Sequence, residues 1–163
     1  MSKSVIELIF KHGNDNPNKI AIIDGDLTIN YEVLSNKIYA CKIFLEKMGI
    51  KKDDIVIIPA IKNISFVYCY FGVQLAQGIP VPVDHNIPES RLKSLQIYTK
   101  AKFTFNDHKL DNFFSLNYLN KNIEFYIDRK DNKKKCNFPL SKQISEILFT
   151  SGTTGNPKGV VLT

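Results

Sequence analysis

The residues that look chemically active lie together in one segment, 150–159, of this 163-residue sequence. The segment reads Thr-Ser-Gly-Thr-Thr-Gly-Asn-Pro-Lys-Gly. Gly152, Gly155 and Gly159 permit positive φ and let backbone amides approach an anion without a Cβ in the way. The hydroxyl groups donate hydrogen bonds, and the lysine supplies a compact cation. We therefore predict a polyphosphate-binding loop with these ligand contacts: Thr150, Ser151, Gly152, Thr153, Thr154, Gly155 and Lys158.

The neighbours of this loop distinguish it from the Walker A motif. That motif needs Gly-Lys-Ser/Thr at the start of a helix, whereas Lys158 follows Pro157 and precedes Gly159 and an apolar strand. Apolar runs, 147–149 and 160–162, flank the loop on both sides. Glycine-rich and hydroxyl-rich segments also form plain flexible turns. Here, however, ten consecutive residues suited to binding phosphate lie between two predicted strands, which favours a phosphate site.

Alternating helices and short strands are predicted to position the loop. Apolar spacing and capping residues predict helices at 4–12, 31–48 and 65–77, and one that begins at Pro88. Predicted strands lie at 20–24, 27–30, 55–59, 79–83, 103–106, 124–127 and 144–150. This order favours an α/β fold, in which a layered, largely parallel sheet carries helices on both faces.

Two details of this prediction depend on single residues. Gly13 is expected to end the first helix, because glycine commonly follows the last helical residue. Pro80 and Pro82 donate no ladder hydrogen bonds, so the strand that contains them is expected to be short, bulged or at a sheet edge.

Composition and charge exclude several classes of protein. The net charge of +6 comes from 22 basic and 16 acidic residues, and the lysines are scattered along the chain instead of forming a nucleic-acid-binding patch. The three cysteines, Cys41, Cys69 and Cys136, suit neither a disulfide framework nor a paired-ligand metal site. Cys41 and Cys69 are predicted to be core residues. With no secretory signal in the first ten residues, we expect a cytoplasmic protein.

One uncharged segment, 63–83, is long enough to cross a bilayer. Its polar and turn-forming residues argue instead for a helix followed by a strand of a buried core. These residues are Gln74, Gln77, Gly78, Pro80 and Pro82. We therefore expect no membrane span.

The loop sequence resembles the phosphate-binding signature of the adenylate-forming (AMP-binding) superfamily, which includes acyl-CoA synthetases, adenylation domains of nonribosomal peptide synthesis, and luciferases. The resemblance extends upstream over the whole chain. Residues 16–22 resemble the family's opening strand, and Leu27-Thr28 with Tyr31 and Leu34 resemble its first helix-start motif. Residues 77–84 resemble its second motif.

The sequence departs from the family pattern at two places. Val33 stands where the family usually has glutamate, and Glu32 lies one position earlier. Gln77 occupies a position that the family often fills with glycine or alanine.

The resemblance implies an ATP-dependent acid–thiol ligase. Family members convert a carboxylic acid and ATP into an acyl-adenylate and pyrophosphate, and most then transfer the acyl group to the thiol of CoA or of a carrier-protein pantetheine. Residues 150–158 are implied to orient the β- and γ-phosphates, with Mg²⁺ sharing the neutralisation of charge.

The resemblance also implies that residues 1–163 form one N-terminal subdomain of a larger AMP-binding domain, truncated just after the phosphate loop. Family members are roughly three times as long, and their later segments carry the adenine pocket, the magnesium-binding glutamate and the catalytic lysine. We therefore assign no catalytic or metal-binding residue here and expect the isolated chain to be inactive. Exposed sheet edges would favour self-association of such a fragment.

The carboxylic acid is left open by the sequence. Residues 79–82 favour an acyl-CoA synthetase, which is the activity that we expect for the parent protein. Asp84 resembles the residue found in the amino-acid-activating branch, so a fragment of an amino-acid-activating adenylation domain is the alternative. A non-catalytic nucleotide-binding module is a further alternative.

Overall fold

A computed structural model describes residues 3–105, 113–127, 136–140, 142–150 and 158–163. Its helices are α1 (Val5–Asp15), α2 (Tyr31–Lys47), α3 (Ile64–Leu75), α4 (Glu89–Thr99) and α5 (Leu116–Ile127). Its strands are β1 (Ile20–Asp24), β2 (Leu27–Asn30), β3 (Ile55–Pro59), β4 (Ile79–Val83), β5 (Phe103–Phe105), β6 (Phe113–Phe114), β7 (Glu146–Thr150) and β8 (Lys158–Leu162).

The central sheet has the strand order β4-β3-β5-β6, and every neighbouring pair is parallel. β3 and β4 pair in continuous register from Ile55 opposite Ile79 to Pro59 opposite Val83. Both strands are nearly continuous apolar runs, as expected where helices cover both faces of a parallel sheet. Within the described residues β4 lies at the edge of this ladder, as its two prolines predicted.

Alternation along β3 separates two apolar layers. Val56 and Ile58 point into the main core, which they share with α1, α2, α3 and α5. Ile57 points to the opposite face, where it packs with Leu92 and Leu95 of α4. The predicted α/β architecture, with helices on both faces of a parallel sheet, is therefore confirmed.

A glycine allows α2 and α3 to cross closely. A Cβ at Gly72 would lie 2.6 Å from the Sγ atom of Cys41 and 2.7 Å from its Cβ. Cys41 and Cys69 are both fully buried here, so their predicted role as core residues is confirmed. Burial raises the pKa of the Cys41 thiol, and the neighbouring Cys69 raises it further.

Local sequence signals account for the start of α2 and for the hairpin that precedes it. Asn30 Oδ1 accepts a hydrogen bond from the backbone N–H of Val33 at 2.9 Å, which caps α2. β1 and β2 pair antiparallel around Gly25, whose φ of +59° suits a tight turn. Asp24 Oδ2 accepts a hydrogen bond from Ile64 N at 3.1 Å, which connects this hairpin to the start of α3.

The prediction that Gly13 ends the first helix is wrong, because α1 continues to Asp15. A Cβ at Gly13 would lie 2.6 Å from the Oγ atom of Ser35 in α2. Glycine at this position therefore lets α1 pack closely against α2.

The predicted strand at 124–127 is also wrong, because these residues form the last turn of α5. Leu116, Leu119 and Ile123 are buried at helical spacing, which places one face of α5 against the core. Phe125 and Ile127 favour a strand by intrinsic preference, but burial of the preceding helical turns decides the conformation.

Candidate functional site

A β-hairpin presents the two ends of the predicted phosphate loop. β7 and β8 pair antiparallel in continuous register, from Glu146 opposite Leu162 to Thr150 opposite Lys158. Directly opposed residues of such a pair have Cα atoms about 4.5–5.5 Å apart. The hairpin therefore brings the first and last predicted contact residues, Thr150 and Lys158, side by side at the two ends of segment 151–157.

The structure locates these two predicted site residues and not the other five. Lys158 is exposed to solvent, and the backbone of Thr150 completes the ladder. The remaining five lie outside the described residues: Ser151, Gly152, Thr153, Thr154 and Gly155.

Gly159 has a different role from the one that the sequence suggested. We expected it to permit positive φ, but it lies within β8 opposite Phe149, and the positive-φ glycines of the described residues are Gly25 and Gly49. A Cβ at Gly159 would lie 3.1 Å from Ile147 Cγ2 and 3.2 Å from the ring of Phe149. Glycine is suited to this position because the Phe149 ring lies across it.

Apolar contacts hold the hairpin against the α4 face of the sheet. Ile147 and Phe149 lie two residues apart on one face of β7, and both pack against the cluster that contains Val81 and Leu95. The Phe149 ring also meets Tyr98 of α4 edge to face, with ring centroids 6.2 Å apart. These contacts fix the end of β7 nearest the loop.

Hydrogen bonds hold the other end of the hairpin. The backbone N–H of Ser145 donates to Leu162 O at 2.7 Å, and Gln74 Nε2 in α3 donates to Ser145 O at 2.7 Å. Burial raises the pKa of the Tyr70 phenol, and the nearby Glu146 carboxylate raises it further. The start of β7 is thus attached to α3.

A second glutamine, Gln77, contacts the segment that leads to β7. Its Nε2 donates to Asn137 O at 3.0 Å, and its Oε1 accepts from Gln143 Nε2 at 3.2 Å. We did not assign this role from the sequence. The available signal was the occurrence of Gln74 in the last turn of a largely apolar helix and of Gln77 two residues after its end.

The described part of the chain holds no group of three or more His, Cys, Asp or Glu residues arranged for a metal ion. Among the helices described here, none is long and apolar enough to cross a membrane. The candidate site consists of the β7–β8 hairpin with the exposed Lys158, and contacts with α3 and α4 hold its two ends.

Comparisons with known proteins agree with the loop sequence and the fold. A family model described as AMP-binding enzyme matches residues 9–163. The anguibactin system regulator of Vibrio anguillarum is 30% identical over 158 residues, which cover 94% of this chain and 15% of the regulator. Gramicidin S synthase 1 of Brevibacillus brevis is 29% identical over 165 residues, which cover 98% of this chain and 15% of the synthase.

Solved structures share the fold. VinN has a TM-score of 0.87 at 19% identity, over 98% of this chain and 45% of the VinN chain. This chain thus spans less than half of VinN and 15% of the two curated relatives. Because the family model covers nearly every residue, including the whole phosphate loop, the chain belongs to the AMP-binding enzyme family.

Proposed function

We propose that residues 1–163 are the N-terminal subdomain of an enzyme that activates a carboxylic acid with ATP, producing an acyl-adenylate and pyrophosphate. The observation that carries the proposal is the β7–β8 register, which sets Thr150 opposite Lys158 at the ends of a family-type phosphate loop. This arrangement suits a ligand that carries several negative oxygens.

The contribution of this chain to the reaction is to position phosphates and neutralise their charge. The Lys158 ammonium is exposed next to the loop, where it would contact the distal phosphates of ATP. Holding pyrophosphate in line with the attacking carboxylate lowers the entropic cost of the reaction. Bound Mg²⁺ supplies further charge neutralisation, but the described residues contain no cluster of ligands for it, so we derive no step through the metal.

In place of the acyl-CoA synthetase that we expected from the sequence, we propose an enzyme that activates an amino acid, which would pass to a carrier-protein pantetheine. One relative is named a gramicidin S synthase, and VinN is described in complex with L-aspartate. An acyl-CoA synthetase is the second candidate, and residues 79–82 favour it. The third candidate is a nucleotide-binding module without turnover. It is kept because one relative is named a system regulator and not a synthetase.

The decisive experiment is carboxylate-dependent ATP–pyrophosphate exchange by the product of the complete gene, with amino, fatty and aryl acids as substrates. We expect exchange with one or a few amino acids. Loss of a charged contact of about 1.5–3 kcal/mol should lower kcat/KM for ATP about 10- to 150-fold in Lys158→Ala. The matched control is Lys52→Ala, which removes another exposed lysine.

Each alternative has its own result. Exchange with fatty or aryl acids alone would identify the acyl-CoA synthetase branch. A folded product that binds MgATP but exchanges with no acid would favour the non-catalytic module. Acyl-adenylate formed by residues 1–163 alone would contradict the proposal that this subdomain is inactive in isolation.

A further inference from the structure

Three polar side chains at the C-terminal end of α3 and just beyond it contact one later segment of the chain. Tyr70 and Gln74 lie one turn apart in α3, and Gln77 lies two residues after the helix ends at Leu75. Each of the three has a polar partner in the segment that runs from Asn137 into the start of β7. An apolar helix thus directs polar groups at the residues immediately before the phosphate-binding hairpin.

Three glutamines hold this segment by two separate sets of hydrogen bonds, one made by Gln74 and one shared by Gln77 and Gln143. We name the three together the glutamine tether: Gln74, Gln77 and Gln143. Gln74 bonds to Ser145 O, and Gln77 bonds to Asn137 O and to Gln143. Gln143 Oε1 in turn accepts from Leu140 N at 2.7 Å. The tether therefore fixes the segment at several points on either side of residue 141.

The backbone conformation at Gln77 indicates that its side-chain contacts stabilise the structure at this position. Its φ is +65°, in the left-handed region that favours glycine. A long side chain persists in such a conformation when the surrounding structure compensates for the strain. The bonds to Asn137 and Gln143 provide that compensation.

The tether reaches the candidate site through β7. Ser145 bonds to Gln74 through its carbonyl and to Leu162 O through its amide, so it joins α3 to the base of the hairpin. Thr150 lies five residues further on, about 17 Å along an extended strand. Because Phe149 is held by α4 at the other end, β7 is fixed at both ends between α3 and the loop.

We propose that Gln77 is a positioning residue, which through the glutamine tether sets the placement of β7 and hence of the phosphate-binding loop relative to the sheet. This inference rests on the proposed function, because it assigns the tether an effect on ATP binding. It assigns no contact between Gln77 and substrate.

The test compares Gln77→Gly with Lys100→Gly in the product of the complete gene. Both changes replace a residue with positive φ, 65° at Gln77 and 54° at Lys100, by glycine. Only Gln77→Gly removes the bonds of the tether to Asn137 and Gln143, and it leaves the bond between Gln74 and Ser145 in place. We expect the KM for ATP to rise about three- to tenfold in Gln77→Gly, with the KM for the acid unchanged and the thermal midpoint not lowered, because glycine relieves strain. Lys100→Gly should match the wild type in both KM values.

Rescue provides a second comparison. Gln77→Glu keeps an acceptor for Gln143 but loses the donor to Asn137, so it should give a KM for ATP between those of the wild type and Gln77→Gly. Equal KM values for ATP in the wild type and Gln77→Gly would overturn the proposal.

Hydrogen exchange separates failure of this inference from failure of the proposed function. Amides 145–149 should exchange faster in Gln77→Gly than in the wild type or Lys100→Gly, and this measurement requires no activity. Unchanged exchange of these amides would contradict the proposal that Gln77 holds β7 in place. If the wild type activates no acid, the proposed function and the effect on ATP fail together, while amide exchange still decides whether Gln77 holds β7.

Discussion

Several side chains have roles in this structure that cannot be predicted from their residue types. Gln77 keeps a backbone conformation that favours glycine and uses its amide to bind a segment 60 residues away along the chain. Gly159 accommodates the ring of Phe149 across the hairpin. Lys158 is exposed at the start of β8, directly after the loop segment. At this scale, each role depends on what lies opposite the residue.

Tyr68 should make stability depend on alkaline pH. Burial raises the pKa of its phenol, although a hydrogen bond with Ser65 opposes this. An unfolded phenol ionises near pH 10, while the native one keeps its proton. This contribution to stability is therefore complete below about pH 10 and is lost above it, by up to about 1.4 kcal/mol per pH unit.

Urea unfolding between about pH 9 and pH 11 tests this expectation, because the free energy of unfolding should fall less steeply in Tyr68→Phe than in the wild type. Tyr98→Phe is the matched control, since Tyr98 is 65% exposed. Parallel pH dependences in the wild type and Tyr68→Phe would rule out a buried, protonated phenol at Tyr68.

At the scale of elements, close packing between helices decides positions that propensity would fill differently. α1 meets α2 at Gly13, and α3 meets α2 at Gly72. In both contacts a Cβ would lie 2.6 Å from a side-chain atom of α2. The close approach of these helices therefore depends on glycine, which has no Cβ atom, at both contacts.

Gly72→Ala should destabilise the protein, although alanine would stabilise an exposed helix by about 1 kcal/mol. The added methyl group would lie 2.6 Å from Cys41 Sγ and 2.7 Å from its Cβ, so α2 and α3 must separate. We expect a loss of about 1–3 kcal/mol in the free energy of unfolding, measured with urea.

A second substitution shows whether the clash is the cause. Cys41→Ala should recover part of the loss in a Gly72→Ala background, because it removes the sulfur but leaves the Cβ. It should not rescue Gly49→Ala, since Gly49 has a φ of +90° and no atom within 4 Å of its Cβ position. Gly72→Ala with wild-type stability would refute the steric explanation.

At the scale of the whole molecule, the hairpin carries an apolar outer face beside an open strand. Val160 lies across from Leu148, and their side chains are 48% and 38% exposed. Within the described residues, β7 is the only strand that pairs with β8. Such an edge favours pairing with another strand.

Residues 1–163 prepared alone should therefore self-associate as concentration rises, which sedimentation velocity would detect. Val160→Lys should shift the preparation toward monomer, because a charged residue discourages edge pairing. Ile97→Lys is the control, since Ile97 is 77% exposed but belongs to a helix, α4, and not to a strand. A monomeric mass that does not change with concentration would contradict this prediction.

Much of the fold follows from the sequence because its signals are local. The cap at Asn30, the turn at Gly25 and the apolar strands of the parallel sheet each involve residues close together in the chain. The chemistry of the phosphate loop is equally local, since its glycines, hydroxyls and lysine are consecutive. The sequence alone therefore determined the α/β architecture, the family, and the presence of apolar strands on both sides of the loop, whereas the structure showed that these strands pair with each other.

Tertiary structure decided the features that depend on distant partners. Gly13 lies within a helix because it faces Ser35, and 124–127 are helical because the preceding turns of α5 bury their apolar face. The glutamine tether joins α3 to residues 60 or more positions away. Packing energy and hydrogen bonds of this kind exist only after the chain has folded, so no local pattern determines them.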